Sequence, residues 1–90
     1  MIAISVQNGE AGTDVYVTVT DANVQAPGGV TNLGMIHPGL SVPSNVQEDL
    51  NGRFSITTVT TAANDGARVK NGGPFIGSAG DVVTVDLFGV

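Results

Sequence analysis

One histidine and eight carboxylates are the side chains of this sequence that could support acid–base chemistry. His37 is the only group that titrates near neutral pH without help from its surroundings. It lies directly before Pro38, and no nucleophile pattern surrounds it. A lone histidine also does not supply the His/His or His/Cys ligand sets of most zinc sites. The sequence therefore predicts an ordinary loop residue at this position rather than a general base.

Pairs of carboxylates can hydrolyse glycosides when one acts as the acid and the other as the base or nucleophile. The candidate pairs are Glu10 with Asp14 and Glu48 with Asp49. Adjacent side chains point in different directions, so the second pair suits neither role. The chain also has no Trp and a single Tyr, which leaves few aromatic platforms for a sugar cleft. We therefore predict no catalytic residue.

Two segments, Asp49 to Gly52 and Asn64 to Gly66, offer oxygen ligands of the kind that calcium prefers. Neither matches the helix–loop–helix calcium motif with its closing Glu, and Asp or Asn before Gly is common in ordinary turns. The glycines of Gly72 to Gly73 and Gly77 to Gly80 lack the Gly-Lys-Ser/Thr sequence of a phosphate-binding loop. We expect turns at all four positions, with no metal and no other cofactor.

Length and composition narrow the possibilities further. A chain of 90 residues and 9.0 kDa predicts one domain over residues 1–90. The absence of Cys excludes a disulfide framework, a thiolate nucleophile and a Cys-based zinc site. Charged residues make up only 12 % of the chain, against ~25 % in an average soluble domain, so a neutral surface rich in hydroxyls is expected.

The charge balance bears on possible partners. The net charge is −5, and all three basic residues, Arg53, Arg68 and Lys70, lie in one short stretch. Nucleic-acid binding usually requires a basic surface that neutralises phosphates, and anionic membranes attract basic surfaces in the same way. We therefore expect no nucleic-acid partner. We also expect no membrane insertion, since no apolar run approaches the ~20 residues of a spanning helix.

The N-terminal residues Met1 to Val6 lack the basic region, the longer apolar stretch and the cleavage site of a secretory signal. Two interpretations fit: the protein is made without a signal, or the sequence begins at a mature domain. The residues do not define a location, although a virion or an extracellular surface is compatible with the function suggested below.

Alternating apolar residues predict several strands. The clearest runs from Asp14 to Asp21, where Val15, Val17 and Val19 should face the core and Tyr16, Thr18 and Thr20 should face outward. We predict further strands over residues 2–6, 30–36 (broken at Gly34), 53–61 (with a bulge near Thr58), 75–76 and 81–88, and an extended loop or edge strand over 39–42. Turns are expected at residues 8–9, 26–29, 51–52, 64–66 and 71–74.

One segment, Ser44 to Leu50, has helical character because Ser44 and Gln47 could form a capping box. Pro43 and Gly52 limit it to one or two turns. Six to eight short strands with turns about every ten residues indicate an all-β fold. We predict a single small antiparallel β-sandwich or barrel, of immunoglobulin-like or jelly-roll-like type, with at most this one helical turn.

The last predicted strand has apolar residues on both faces, with Val83, Val85 and Leu87 on one side and Val82 and Phe88 on the other. Because each sheet of a lone sandwich has one solvated face, Val82 and Phe88 are predicted to contact a partner. The alternative is that the loop from Pro38 to Pro43 folds over them.

These observations favour a non-enzymatic structural or interaction module that assembles with copies of itself or docks on a larger particle. A viral or phage particle component and a surface filament subunit are the concrete forms of this hypothesis. The alternative is a small carbohydrate-binding domain in which the outward Tyr16 stacks on a sugar and loop Asn and Asp residues bind its hydroxyls. An enzyme is the third possibility.

Overall fold

The computed structural model describes residues 1–24 and 28–90, which form seven strands and contain no helix. Two of the residues in the turn expected at 26–29, Ala26 and Pro27, lie outside the described part of the chain. The strands are β1 (Ile2–Asn8), β2 (Val15–Asp21), β3 (Val30–Ile36), β4 (Ser41–Val46), β5 (Phe54–Ala62), β6 (Asp65–Gly77) and β7 (Val82–Val85).

The strands form a three-stranded sheet in the order β4-β1-β7 and a four-stranded sheet in the order β3-β2-β5-β6. This arrangement confirms the all-β sandwich, and the barrel alternative is wrong. Neighbouring strands are antiparallel except for β1 and β7, which are parallel. The parallel pair arises because β7 follows a connection that crosses from one sheet to the other.

The core lies between the two sheets and consists mainly of β-branched side chains. On β2, the predicted inward face is confirmed, since Val15, Val17 and Val19 are all buried and Tyr16 is exposed. The facing sheet contributes alternate residues of β1 and β7, while Phe54 and Ile56 of β5 complete the centre. The register of the N-terminal, second and last strands therefore follows from the period-two pattern.

The helical segment predicted at Ser44 to Leu50 is wrong. Its first residues belong to β4, in which Ser44 and Val46 are buried and pair with β1. The ladder with β1 supplies backbone hydrogen bonds that compete with a short helix, and the inward positions of β4 follow a period of two. The turn predicted at Asn51 to Gly52 is confirmed, and Gly52 has a φ of +77°.

The region of β5 and β6 differs from expectation in two ways. The turn predicted at 71–74 is wrong, because β6 continues through these residues and accommodates a bulge opposite the step from Ile56 to Thr58. The bulge therefore lies in β6, and β5 keeps its alternation, with Thr58 and Thr60 buried and Val59 exposed. The break predicted at Gly34 is wrong, since β3 runs without interruption from Val30 to Ile36; its pairing with β2 instead shifts by one residue at Leu33.

Candidate functional site

The three residues predicted to form an interaction site lie on different surfaces. Tyr16 is on the outer face of the four-stranded sheet, and Val82 is on the outer face of the three-stranded sheet. Phe88 lies beyond β7, in a turn, because the strand predicted to reach residue 88 ends at Val85. The structure therefore does not combine the three residues into one site.

Phe88 is 85 % exposed, which is unusual for a phenylalanine in a small domain. The segment from Pro38 to Pro43, the alternative cover, does not reach it, because this segment forms a turn and the start of β4, at the edge of the sheet opposite β7. The Phe88 backbone N–H donates a hydrogen bond to the Asp86 carboxylate at 3.1 Å. The turn that presents the aromatic ring is thus fixed by a local contact.

Tyr16 lies in a row of side chains that crosses the four-stranded sheet. Its cross-strand neighbours are Met35 on β3 and Thr61 on β5, and Thr61 in turn lies opposite Val69 on β6. Met35, Tyr16 and Val69 are each partly exposed. No carboxylate or amide side chain belongs to this row, so Tyr16 has little of the polar chemistry that a sugar requires among its cross-strand neighbours.

The edge strands β6 and β7 belong to opposite sheets and border the same side of the sandwich, which we call the β6/β7 seam. A short connection, Ser78 to Asp81, joins the two strands at one end of the seam. At the other end, the Lys70 Nζ on β6 lies 2.6 Å from the Asp86 Oδ1 that follows β7. The seam is therefore closed at both ends and open between them.

Two adjoining cavities of about 310 and 420 Å³ lie along this opening, and we refer to them together as the seam groove. Phe75 and Thr84 line both cavities. The smaller cavity has Thr58 and Thr60 as buried polar residues in its lining, together with the Lys70–Asp86 pair. The larger one is lined by Phe54 and by the exposed Ile76 and Val82. Asp81 also lines the larger cavity, so both parts of the groove combine polar and apolar groups.

The charges at the seam are paired with each other. The hydrogen bond from Lys70, together with one from the Phe88 N–H, holds the pKa of the Asp86 carboxyl below its ordinary value. Arg68, further along β6, donates from its Nε to the Val90 carbonyl at 3.3 Å and lies 4.0 Å from a Glu10 oxygen. Two of the three basic residues thus hold the C-terminal segment against β6.

His37 has a partner that the sequence did not indicate. Its Nδ1 lies 2.9 Å from the Asp14 Oδ1, with both side chains largely in solvent. The backbone around this pair is fixed by the fully buried Asn8, whose Nδ2 donates to the carbonyls of Thr13 and Ile36 at 2.8 and 2.9 Å. The pairing joins residues 23 positions apart, and no local pattern predicts it.

The oxygen-rich segments serve as turns. One Asp49 oxygen accepts hydrogen bonds from the backbone N–H groups of Asn51 and Arg53, which lower the pKa of its carboxyl. The Asp65 Oδ1, at the start of β6 directly after the second turn, accepts a hydrogen bond from the Ala67 N–H at 3.0 Å. Within residues 1–24 and 28–90, no three side chains of His, Cys, Asp or Glu are placed to hold a metal ion.

In the same ranges, no helix is long and apolar enough to cross a membrane.

No protein-family model matches this chain, and no curated protein or solved structure is significantly similar to it.

Proposed function

We propose that this protein is a non-enzymatic interaction module that assembles with copies of itself or docks on a larger particle, as a virion component or a surface filament subunit would. The observation that carries this proposal is the exposure of Phe88, a residue that is 85 % accessible in the turn after β7. A fully exposed aromatic ring gains more from burial at an interface than most surface side chains do.

The surroundings of Phe88 favour an anchor role. The Asp86 carboxylate accepts hydrogen bonds from both the Phe88 N–H and the Lys70 ammonium, so the turn is connected to β6. A turn fixed in this way loses little conformational entropy when a partner covers the ring. Val90, two residues along the chain, is also exposed and adds apolar area to the C-terminal segment.

The chain offers a matched control for this residue. Leu50 is as exposed as Phe88 but lies in the loop before β5, at the end of the sandwich opposite the C-terminal turn. We expect Phe88→Ser to remain folded and to give a smaller species in light scattering across a concentration series, while Leu50→Ser behaves as the wild type. If Phe88→Ser assembles as the wild type does, Phe88 is not the anchor and the proposal fails.

A carbohydrate-binding role is the second candidate, and the seam groove favours it more than Tyr16 does. The smaller cavity combines the Lys70–Asp86 pair and buried threonines with the half-buried ring of Phe75. Such a mixture of hydrogen-bonding groups and an aromatic surface suits a monosaccharide. A glycan array tests this role. Glycan binding that is lost in Asp86→Asn and kept in Tyr16→Ser would support a sugar site in the seam groove. If the wild type binds no glycan, this role is rejected.

A further inference from the structure

We propose that the free edge of β7 accepts one extended segment of a partner polypeptide, which adds a fourth strand to the smaller sheet. This inference rests on the proposed interaction function and specifies how docking occurs. Addition of a strand to an exposed sheet edge is a general mode of peptide recognition, in which backbone hydrogen bonds supply affinity and side-chain pockets supply specificity.

The hydrogen bonds of β7 identify the chemistry of the occupant. The Ser5 N–H donates to the Asp81 carbonyl and the Gly9 N–H donates to the Val85 carbonyl, so the odd-numbered residues of this segment face β1. Successive backbone groups of a strand alternate between its two edges. The N–H and C=O groups of Val82 and Thr84 therefore point to the free edge. Within the described residues, neither forms a backbone hydrogen bond beyond the strand pairs.

The other three edges of the sandwich carry features that prevent strand addition. Pro43 lies opposite Ser5 in β4 and has no N–H to offer at the outer edge. A bulge at Leu33 shifts the register of β3, and the Gly34 N–H is already bonded to the Asn32 side chain. The long strand β6 contains Pro74, a bulge and two inward-pointing cations. The four residues of β7 include no proline, no charge and no bulge.

The sandwich has room for one more strand at this position. The larger sheet has four strands and the smaller has three, and β3 and β4 contact each other at the opposite side of the molecule. β6 is consequently the strand that has no strand of the smaller sheet facing it. The seam groove lies between the inner face of β6 and the free edge of β7. An added strand would cover Phe75, which packs only at the margin of the core.

The groove restricts which segment can enter. A second copy that paired its own β7 side by side with this one would place its β6 where the first copy's β6 already lies. The occupant is therefore a single extended segment with no sheet behind it. Because Lys70 is paired with Asp86 and an Asp81 oxygen accepts the Ser78 N–H, the groove favours uncharged side chains. Apolar residues fit beside Phe75 and small hydroxyl residues fit beside Thr58.

The probe for this site is a capped peptide with the sequence of residues 2–8, the strand whose residues 5–8 already pair with the other edge of β7. We expect the amides of Val82 and Thr84 to exchange rapidly in the free protein and about tenfold or more slowly with the peptide at millimolar concentration. The amides of Val83 and Val85 should remain protected throughout. A peptide that is N-methylated at alternate residues is the control and should protect nothing. Unchanged exchange at Val82 and Thr84 would overturn the proposal.

A pair of variants at Thr84 separates backbone pairing from side-chain contact. Thr84→Pro removes the N–H at the free edge and leaves the bonds to β1 intact, whereas Thr84→Val keeps the N–H and the shape of the side chain. We expect Thr84→Pro to weaken peptide binding about tenfold and Thr84→Val to bind as the wild type. Equal binding by both variants would refute strand addition. If Thr84→Pro does not fold, the N-methylated peptide decides the same question on the wild-type protein.

The outcome for this site is separable from that for the proposed function. If Phe88→Ser disrupts assembly but the peptide leaves both amides unchanged, the interaction function stands and the strand site is rejected. If the amides become protected while the protein remains a single chain at every concentration, self-assembly is rejected and the strand site stands.

Discussion

The Lys70 Nζ on β6 lies 2.6 Å from the Asp86 Oδ1 beyond β7, so one ion pair connects the two sheets across the open side of the sandwich. The same carboxylate accepts the N–H of Phe88. Asp86 thus links the seam groove to the turn that presents the exposed aromatic ring, and the two proposed contact surfaces share one charged residue.

This link predicts a dependence on acid pH. Because the hydrogen bond from Lys70 lowers the pKa of Asp86 in the folded state, the carboxylate stabilises the fold above its unfolded pKa of about 3.9. The stabilisation is lost as the pH falls through the lower, folded value. We expect Asp86→Asn to melt below the wild type at neutral pH and the difference to shrink in acid. Parallel melting curves across the pH range would contradict this assignment.

The register of β2 is tested by two substitutions on opposite faces. Val17 is completely buried, whereas Thr20 is exposed on the outer face. Val17→Asp places a carboxylate in the core without a partner and should lower the free energy of unfolding by about 4 kcal/mol or more. Thr20→Asp should change it by less than about 0.5 kcal/mol. Similar denaturant midpoints for the two variants would show that the register is wrong.

The bulge in β6 requires glycine at one position. Gly73 has a φ of +97°, and a Cβ atom there would lie 2.7 Å from the Ile56 carbonyl oxygen. Gly73→Ala should therefore destabilise the fold by about 2 kcal/mol or more. Gly66→Ala, where no atom lies within 4 Å of the added methyl group, is the control and should have an effect below about 0.5 kcal/mol. Chemical denaturation that ranks the two variants equally would contradict the bulge geometry.

Net charge should govern the strength of self-assembly. Each copy carries a charge of −5, so copies repel one another in dilute buffer. The screening length falls from ~10 Å at 0.1 M salt to ~3 Å at 1 M, while contacts made by an apolar ring persist. We expect the fraction of assembled protein to rise with salt concentration in sedimentation experiments. A decrease with salt would indicate an interface held by ion pairs and not by Phe88.

Local patterns were sufficient for part of the fold. In β2 the alternation of Val15, Val17 and Val19 fixed both the strand and its buried face, because one side chain in two must enter the core. The same rule did not predict β4. Taken alone, the sequence around Ser44 is typical of a helix cap, but in the fold Ser44 pairs with Ile4 of β1 and belongs to a strand. In β5, Thr58 is buried and Val59 is exposed because every second residue counted from the buried Ile56 faces the core. The sequence pattern did not decide which of the two residues faces inward.

The candidate site was less accessible to sequence reasoning. The apolar residues on both sides of the last strand indicated that Phe88 needs a cover outside its own sheet, and Phe88 is 85 % exposed. That a partner covers it stays a prediction. The Lys70–Asp86 pair joins side chains 16 positions apart on opposite sheets, and the seam groove exists because the sheets differ by one strand. Such features depend on strand order, which periodicity does not specify.

We propose that copies of this chain associate through a surface that includes Phe88. Sedimentation velocity on the wild type and on Phe88→Ser, over the same concentrations at high salt, tests it most directly. We predict that the wild-type mass rises with concentration above that of one 9.0 kDa chain, and that the variant stays near the single-chain mass. A wild type that sediments as a single chain at every concentration, or a variant that associates equally well, would contradict the claim.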